Sequence, residues 1–458
     1  MIYPREVHES STSHCCVVEN AMGRSKRRAR KNNTTVILAI VSKSDGKTEN
    51  LSRDRLVYRA EGNANLVLAI PDLGQVLRLR KSPTNCDLEA PSIDHVIMVT
   101  EYARIVGSLF AREFTIEPQL VLLRIPNYDT VNRWLNQFRP SVRCDKEIRC
   151  RAGILYPDLA ILRRDLLPPD IQVTGETYCV EIKPKQGWMF PEETFKALFP
   201  DLSAKLCRFC AMQYLKLVKK TIKRVSNYCP IDLFSGDRDR MLRALRGLVE
   251  TPQNNFRMWR SGQLIYGDGI DCGLQDALED TMLQGDPSKN LDNFLQLLLT
   301  AILNDSTGTT VPNESHPLPR GSILKQILDV QMFAQDNLTT TVDGASIDEE
   351  QSFGNVAQIL AKRRSTSENW LESLSGAEKY FLGATALDCS LMMTFQKVTA
   401  GGDTEERHTI RVGDERFAVS MTVMDLDPKA DSHPTKYLKQ TRMSYKAYKD
   451  FGGSDKIC

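Results

Sequence analysis

The chain has 458 residues, 41% of them apolar, enough to bury the cores of two or three domains. Its 60 lysines and arginines barely exceed its 58 aspartates and glutamates. No global positive field therefore marks it as a nucleic-acid-binding coat, and any anion site must be local. No apolar run approaches the ~18 residues of a membrane span, and the first residues lack the apolar core of a secretory signal. The expectation is a monomeric intracellular protein, nuclear or cytoplasmic. The twelve cysteines then read as reduced, mostly buried thiols. Cys207 and Cys210 form one CxxC, but no second ligand pair of suitable spacing follows, so a structural role is expected there rather than metal or redox chemistry.

Residues 1–50 mix polar, basic and short apolar pieces and read as a loosely ordered basic extension. The cluster Arg24 to Lys31 reads as a nuclear import address or, more commonly for such runs, a solvated stretch. Residues 51–157 read as a small lobe. Leu56-Val57-Tyr58 and Leu66 to Ile70 flank the turn-like Glu61-Gly62-Asn63-Ala64-Asn65, and Val76 to Lys81 makes a third strand. A helix over Val96 to Phe110 and a strand around Leu120 to Ile125 follow. Hairpin, strand, helix and strand in that order are the small lobe of a kinase-like fold.

Residues 158–445 read as a larger mixed α/β lobe, and 446–458 as a frayed tail. The large lobe has a strand entering Glu181 to Lys185, helices near Ser203 to Val225, Asp237 to Glu250 and Ser322 to Phe333, and strands at Cys389 to Phe395 and Phe417 to Leu426. Asn304 to Arg320 and Asp343 to Gln351 read as connectors. The expected class is α+β: two-lobed and kinase-like, with a small antiparallel-sheet lobe.

Glu181-Ile182-Lys183-Pro184-Lys185 carries the sharpest chemistry. Period-two alternation turns Tyr178, Val180 and Ile182 one way and Glu181 and Lys183 the other, with Lys185 beyond. Pro184 cannot donate to a sheet ladder, so the strand should stop there and leave both lysines at a cleft rim. Lysine binds phosphate as a mobile point charge that a neighbouring carboxylate can fix in place. Gly62 with Arg78 one strand later suits a nucleotide phosphate, although alone each reads as an ordinary hairpin tip and a surface arginine. Asp425 and Asp427 at a strand end, on one face with Leu426 on the other, suit Mg²⁺, which prefers one or two carboxylates plus substrate phosphates; solvated acids are the competing reading. Asp388 ahead of a strand suits a general base, against a helix-capping aspartate. Lys216 and Lys220, at i and i+4 on the helix that begins near Ser203, would repel unless a polyanion lay between them, or would simply be solvated. Thr251 to Arg257 is a turn rich in side-chain donors.

These pieces together resemble the inositol-pentakisphosphate 2-kinase family. The match rests on Glu61 to Leu66, Glu181 to Lys185 with Gly187, Met212 to Lys216, Pro230 to Asp237, Pro252 to Arg257, Asp388-Cys389-Ser390 and Asp425-Leu426-Asp427, in family order. The resemblance implies ATP- and Mg²⁺-dependent phosphorylation of the 2-hydroxyl of inositol 1,3,4,5,6-pentakisphosphate to the hexakisphosphate. It implies Asp388 as base, Asp425 and Asp427 at the metal, and Lys183 at the transferring phosphate. Gly62, Asn65 and Arg78 would lie nearer ATP. Arg143, Lys185, Arg208, Lys216, Asn254, Lys429 and Tyr437 would line the inositol-phosphate side. Met212 stands where the family commonly has histidine, Leu387 where it has lysine, Pro428 where it has leucine, and His433 where some members have arginine. Those departures keep open a catalytically silent inositol-phosphate-binding scaffold. Plant members carry a zinc site in the large lobe, but Val311 to Leu387 offers only His316 and no cysteine, so no zinc is expected. A protein kinase is disfavoured by the lack of His-Arg-Asp and Asp-Phe-Gly signatures.

Overall fold

Two antiparallel sheets carry the chain in a computed structural model that describes residues 36–42, 46–84, 92–203, 206–279, 289–304, 317–342, 352–366, 368–400, 408–452 and 458. The first sheet contains β1 (Val36–Ser42), β2 (Thr48–Ser52), β3 (Val57–Glu61), β4 (Asn65–Ile70), β5 (Gln75–Pro83), β6 (Gln119–Arg124) and β7 (Lys146–Pro157), in spatial order β2-β1-β6-β7-β5-β4-β3. α1 (Ile93–Gly107) and α2 (Tyr128–Leu135) lie on its two faces. Alternation along β5 sorts the side chains: Leu77 and Leu79 enter the core with Leu66, Leu68, Trp134 and Leu135, while Arg78 and Arg80 face the α1 side. Each fully buried leucine contributes roughly 1.5–3 kcal/mol. Ser92 and Asn127 start the two helices, accepting from the N–H of His95 at 3.1 Å and of Thr130 at 2.8 Å.

The second sheet contains β8 (Gln172–Ile182), β9 (Phe256–Arg260), β10 (Gln263–Gly267), β11 (Ser390–Ala400), β12 (Thr409–Val412) and β13 (Glu415–Met424), in spatial order β10-β9-β8-β11-β13-β12. The remaining helices are α3 (Glu192–Leu198), α4 (Arg208–Val218), α5 (Pro230–Leu233), α6 (Arg238–Glu250), α7 (Leu274–Glu279), α8 (Asn290–Leu303), α9 (Ile323–Val342), α10 (Gly354–Ser365), α11 (Gly376–Ala386) and α12 (His433–Asp450). Val180, Ile182, Leu391, Met393 and Phe395 share one large core with these helices, whereas Cys179 meets Trp259 on the opposite face. The α+β class and the antiparallel sheets agree with the sequence expectation. Among the described residues no helix is long and apolar enough to cross a membrane.

Three boundaries differ from that expectation. Residues 36–42 and 48–52 are paired strands of the first sheet, not part of a loose extension, because Ile37 to Ile40 are buried despite their polar flanks. The segment after residue 445 is no frayed tail up to Asp450: α12 continues, anchored by buried Tyr445, Ala447 and Tyr448. The helix expected over Ser203 to Val225 is only Arg208–Val218, and Lys220 follows it in a left-handed turn with φ +54°, so Lys216 and Lys220 share no helical face. The basic cluster Arg24 to Lys31 and most of the two connectors lie outside the described residues.

Candidate active site

Strand register gathers the site at one end of the second sheet. Ser390 pairs with Met424, Leu391 with Ile182, and Ile182 with Phe256. The residues just beyond those pairs therefore emerge together: Lys183 and Lys185 after β8, Asp388 before β11, Asp425 and Asp427 after β13, and Asn254 before β9. Segments more than 200 positions apart meet because antiparallel neighbours start where their partners stop. The Lys183 N–H donates to the Asn255 carbonyl at 2.9 Å, tying the Pro252 to Arg257 turn to this end.

Lys183 Nζ donates to Asp425 Oδ2 at 2.9 Å and stands 3.9 Å from Glu181 Oε1. Ser390 Oγ bridges the two acids, 2.7 Å from Glu181 Oε1 and 3.0 Å from Asp425 Oδ2. Arg257 Nη1 closes the set on Glu181 Oε2 at 3.1 Å. Beside it, Lys185 Nζ reaches Asp388 Oδ1 at 2.7 Å and Lys429 Nζ stands 3.8 Å from Asp388 Oδ2. Asp427 takes both arms of Arg78, which comes from β5 of the first sheet, and the Asn65 amide lies 3.4 Å from the same carboxylate.

Burial alone would raise the Asp425 carboxyl, but Lys183 and Arg78 outweigh it and hold the group well below the ordinary carboxylate range. Lys183 is raised in turn: burial disfavours its charge, while Asp425, Glu181 and Asp388 favour it more. Asp388 follows the same pattern, lowered by Lys185 and Lys429 against the pull of burial, with 54% of its side chain still exposed. It is an ionised, accessible carboxylate ringed by cations. Lys216 differs, because burial and the neighbouring Lys185 both lower its pKa. Asp425 and Lys185 both take left-handed backbone angles, with φ +60° and +61°. Aspartate tolerates that region better than lysine, so the Lys185 position has to be held by its surroundings.

Those surroundings escaped the sequence reading. Gln331 on α9 accepts from the Gly187 N–H at 2.8 Å and donates to the carbonyls of Lys185 at 2.8 Å and Ala386 at 3.0 Å. One buried amide thus fixes both the Lys185 strap and the end of α11 just before Asp388. Tyr228 donates to the Pro184 carbonyl at 2.7 Å, and a Cβ on Gly187 would meet the Phe234 ring at 2.5 Å. Gln331 does carry a signal, since it lies in register with Leu324, Ile327 and Leu328 on the apolar face of its helix. A polar residue in a buried stripe needs partners.

The other expected site residues fall into two groups. Arg208 begins α4, donates to Thr441 Oγ1 at 2.9 Å and lies 4.2 Å over the Tyr437 ring. Tyr437 is buried, with its hydroxyl 2.5 Å from Gln186 Oε1, so it supports Arg208 from beneath. Lys216 is close enough to Lys185 and Asp388 to feel both charges. Asn254 is exposed at its turn. Gly62 and Arg143 lie instead in turns beside the first sheet, Gly62 between β3 and β4 and Arg143 just before β7. A Cβ on Gly62 would meet nothing within 4 Å, and Arg139 donates to the Arg143 carbonyl. Gly62 is not among the left-handed glycines, so the value of this residue lies in open space rather than in a turn that demands it.

The shared-face argument for Asp425 and Asp427 also changes. Pairing stops at Met424, and the turn at Asp425 hands one carboxylate to Lys183 and the other to Arg78. The donor set still fits a hard cation: Asp425 keeps an oxygen that the Lys183 and Ser390 bonds do not use, and 42% of its side chain is exposed.

A sequence model of the family described as inositol-pentakisphosphate 2-kinase matches residues 58–443. The chain belongs to this family. An inositol-pentakisphosphate 2-kinase of Danio rerio is 28% identical over 447 residues, spanning 81% of this chain and 88% of its own length. One from Arabidopsis thaliana is 28% identical over 391 residues, spanning 75% and 81%. One from Drosophila melanogaster is 30% identical over 328 residues, spanning 52% of each.

Against the inositol-pentakisphosphate 2-kinase pattern, the departures occupy defined places. Met212 Sδ accepts from Ser444 Oγ at 3.3 Å, so the residue joins α4 to α12. Leu387 ends α11, and His433 Nδ1 lies 3.0 Å from the Tyr380 hydroxyl. Burial, with Lys429 and Arg208 nearby, pushes the His433 pKa down to about 3, so this imidazole is neutral where an arginine would add a charge.

Proposed function

We propose that this protein transfers the γ-phosphoryl group of ATP to the 2-hydroxyl of inositol 1,3,4,5,6-pentakisphosphate, giving inositol hexakisphosphate. The observation that carries the reading is the convergence of Asp388, Lys183, Lys185, Lys429 and Asp425 at one sheet end. The reading also takes the two sheets as the small and large lobes of a kinase-like fold, the small lobe beginning with β1 at Val36 and the large lobe continuing through α12 to Asp450.

Asp388 accepts a hydrogen bond from the 2-hydroxyl and takes its proton late. An ionised carboxylate with a lowered pKa suffices, since phosphoryl transfer depends mostly on positioning and charge neutralisation. Lys183 stands at the transferring phosphoryl group and withdraws charge from its oxygens. Asp425, through its unused oxygen, and Asp427, once Arg78 turns to the nucleotide, would hold Mg²⁺, and the ion would supply neutralising charge to the transferring phosphates. Gly62, Asn65 and Arg78 face the nucleotide. Arg143, Lys185, Arg208, Lys216, Asn254 and Lys429 face the inositol phosphates, with Tyr437 supporting Arg208. Five phosphates repel an incoming triphosphate, and each close cation recovers about 1–4 kcal/mol at the dielectric of a protein surface.

The test is transfer of label from γ-labelled ATP to inositol pentakisphosphate by wild type and by Asp388→Asn. The variant should lose about 100- to 10,000-fold in kcat while titration calorimetry shows inositol pentakisphosphate still bound. No labelled hexakisphosphate from wild type would leave only a binding scaffold, and undiminished turnover by the variant would remove Asp388 as base.

A further inference from the structure

Two residues beyond Arg78 on β5, Arg80 faces the same α1 side. The other enclosed cations about the first sheet each meet a carboxylate: Arg78 meets Asp427, Lys81 and Arg139 meet Glu61, and Arg59 meets Asp158. Arg80 is half-buried as well, yet among the described residues it has no hydrogen bond or ion pair. Burial lowers its pKa and Arg78 adds to that, against the pull of Asp427, whose two oxygens Arg78 already uses. A guanidinium carries five donors in a planar fork, so a sheltered one without an acceptor is poised for an anion from outside the fold.

Asn65 is the cross-strand partner of Arg80, and the Lys81 N–H donates to the Ala64 carbonyl at 2.9 Å, so Arg80 sits beside the Gly62 hairpin. Asn65, Arg78, Arg80, His95 and Asp427 line one small cavity of about 20 Å³, walled elsewhere by Val96, Val99 and Ala152. That volume accepts a single oxygen-sized group. His95, in the first turn of α1, brings a second unused polar atom: its Nε2 is buried with no partner among the described residues. Burial and Arg80 lower the His95 pKa against the pull of Asp427, so the ring is neutral at neutral pH and can present Nε2–H as a donor.

We propose that Arg80 grips an oxygen of the terminal phosphate of the nucleotide, with His95 Nε2–H donating beside it, so that the pair distinguishes ATP from ADP. The proposal rests on the nucleotide reading of Gly62, Asn65 and Arg78 and adds a phosphate-binding residue to it. Asp427, on the cavity wall, belongs to the acids assigned to the transferring group, which places the terminal phosphate rather than the inner ones within reach. The inositol phosphates have their cations elsewhere, with Lys185 and Lys429 gathered on Asp388. Arginine can offer a phosphate two parallel N–H groups, a geometry that lysine cannot reproduce.

Titration calorimetry of the full chain tests this with three ligands: a non-hydrolysable MgATP analogue whose β- and γ-phosphates are bridged by nitrogen, MgADP, and inositol pentakisphosphate. Arg80→Met should weaken the triphosphate about 10- to 100-fold and leave the other two Kd values within about twofold. Arg80→Lys should recover only part of the loss. His95→Leu should cost about 3- to 10-fold for the triphosphate alone, and His95→Gln, which keeps an N–H, should cost less. Because variants can fail to fold, wild type provides a second reading: the triphosphate analogue should shield Arg80 from phenylglyoxal, mapped by peptide mass spectrometry, and MgADP should not. Equal losses for both nucleotides, a loss confined to inositol pentakisphosphate, no loss, or equal shielding by MgADP would each overturn the role of Arg80 alone. Wild type that binds neither nucleotide would overturn the nucleotide reading itself, and this proposal with it.

Discussion

Glu61 shows how much one side chain can coordinate. Its carboxylate accepts from Arg139 Nε at 3.0 Å and Nη2 at 2.9 Å, and from Lys81. Lys81 also donates to the Gly62 carbonyl at 2.7 Å, and Arg139 to that of Arg143. A single acid thereby sets both the Gly62 hairpin and the Arg143 turn. The side chains of Glu61, Lys81 and Arg139 are 2%, 1% and 0% exposed, so removing the acid strands two cations out of water. Glu61→Gln should cost about 3–5 kcal/mol, read as a lower urea midpoint with unchanged slope. An unchanged midpoint would refute the coupling. The pH dependence has a definite sign. Burial would raise the Glu61 pKa, but Arg139 and Lys81 lower it further, so its stabilisation is complete above the ordinary carboxylate pKa and lost as pH falls through the lower folded value. Wild type should shed that increment on acidification and the Gln variant should not.

Among the elements, α9 and α11 approach most closely at Gly383, where a Cβ would stand 2.2 Å from the Ala334 nitrogen. Backbone cannot yield as a side-chain tip can. Gly383→Ala should push the helices apart at a cost of about 1–3 kcal/mol and lower kcat, because Gln331 on α9 and Asp388 after α11 depend on that crossing. Thermal melting and steady-state kinetics together check this, and a variant with unchanged melting temperature and kcat would show that the crossing tolerates the methyl. The same elements mark what the sequence could and could not reveal. Lys183, Asp388 and Asp425 were legible because each stands beside an apolar strand with a clear period, and Pro184 announced the end of its strand at Ile182. The partners of Gln331 and the bridging role of Ser390 were not, since they come from register and packing across long stretches of chain, even though a polar residue on the apolar face of α9 was itself a signal. β1 was missed for a local reason: its short apolar run sits among polar residues, and only pairing with β2 and β6 shows it to be core.

The whole molecule is nearly neutral, at net +2, yet Lys183, Lys185, Lys216, Lys429 and Arg208 are concentrated about one sheet end. Asp425 and Asp388 pair the first two, but at Lys216 burial and Lys185 outweigh the opposing pull of Asp268 and Asp388, which lowers its pKa. A highly anionic ligand adds to that counter-charge, so the Lys216 pKa should rise when the ligand binds. Binding should therefore take up protons in the alkaline range between the two values and none well below it, where Lys216 is already charged in both states. Calorimetry of inositol pentakisphosphate in buffers of differing ionisation enthalpy measures that uptake directly. Lys216→Met should abolish it and weaken binding by about 1.5–3 kcal/mol, roughly tenfold to a hundredfold in Kd. Raising the salt should weaken wild-type binding more than the variant's, since one fewer fixed cation meets the ligand. Uptake that persists in Lys216→Met would place the titrating cation elsewhere in the cluster.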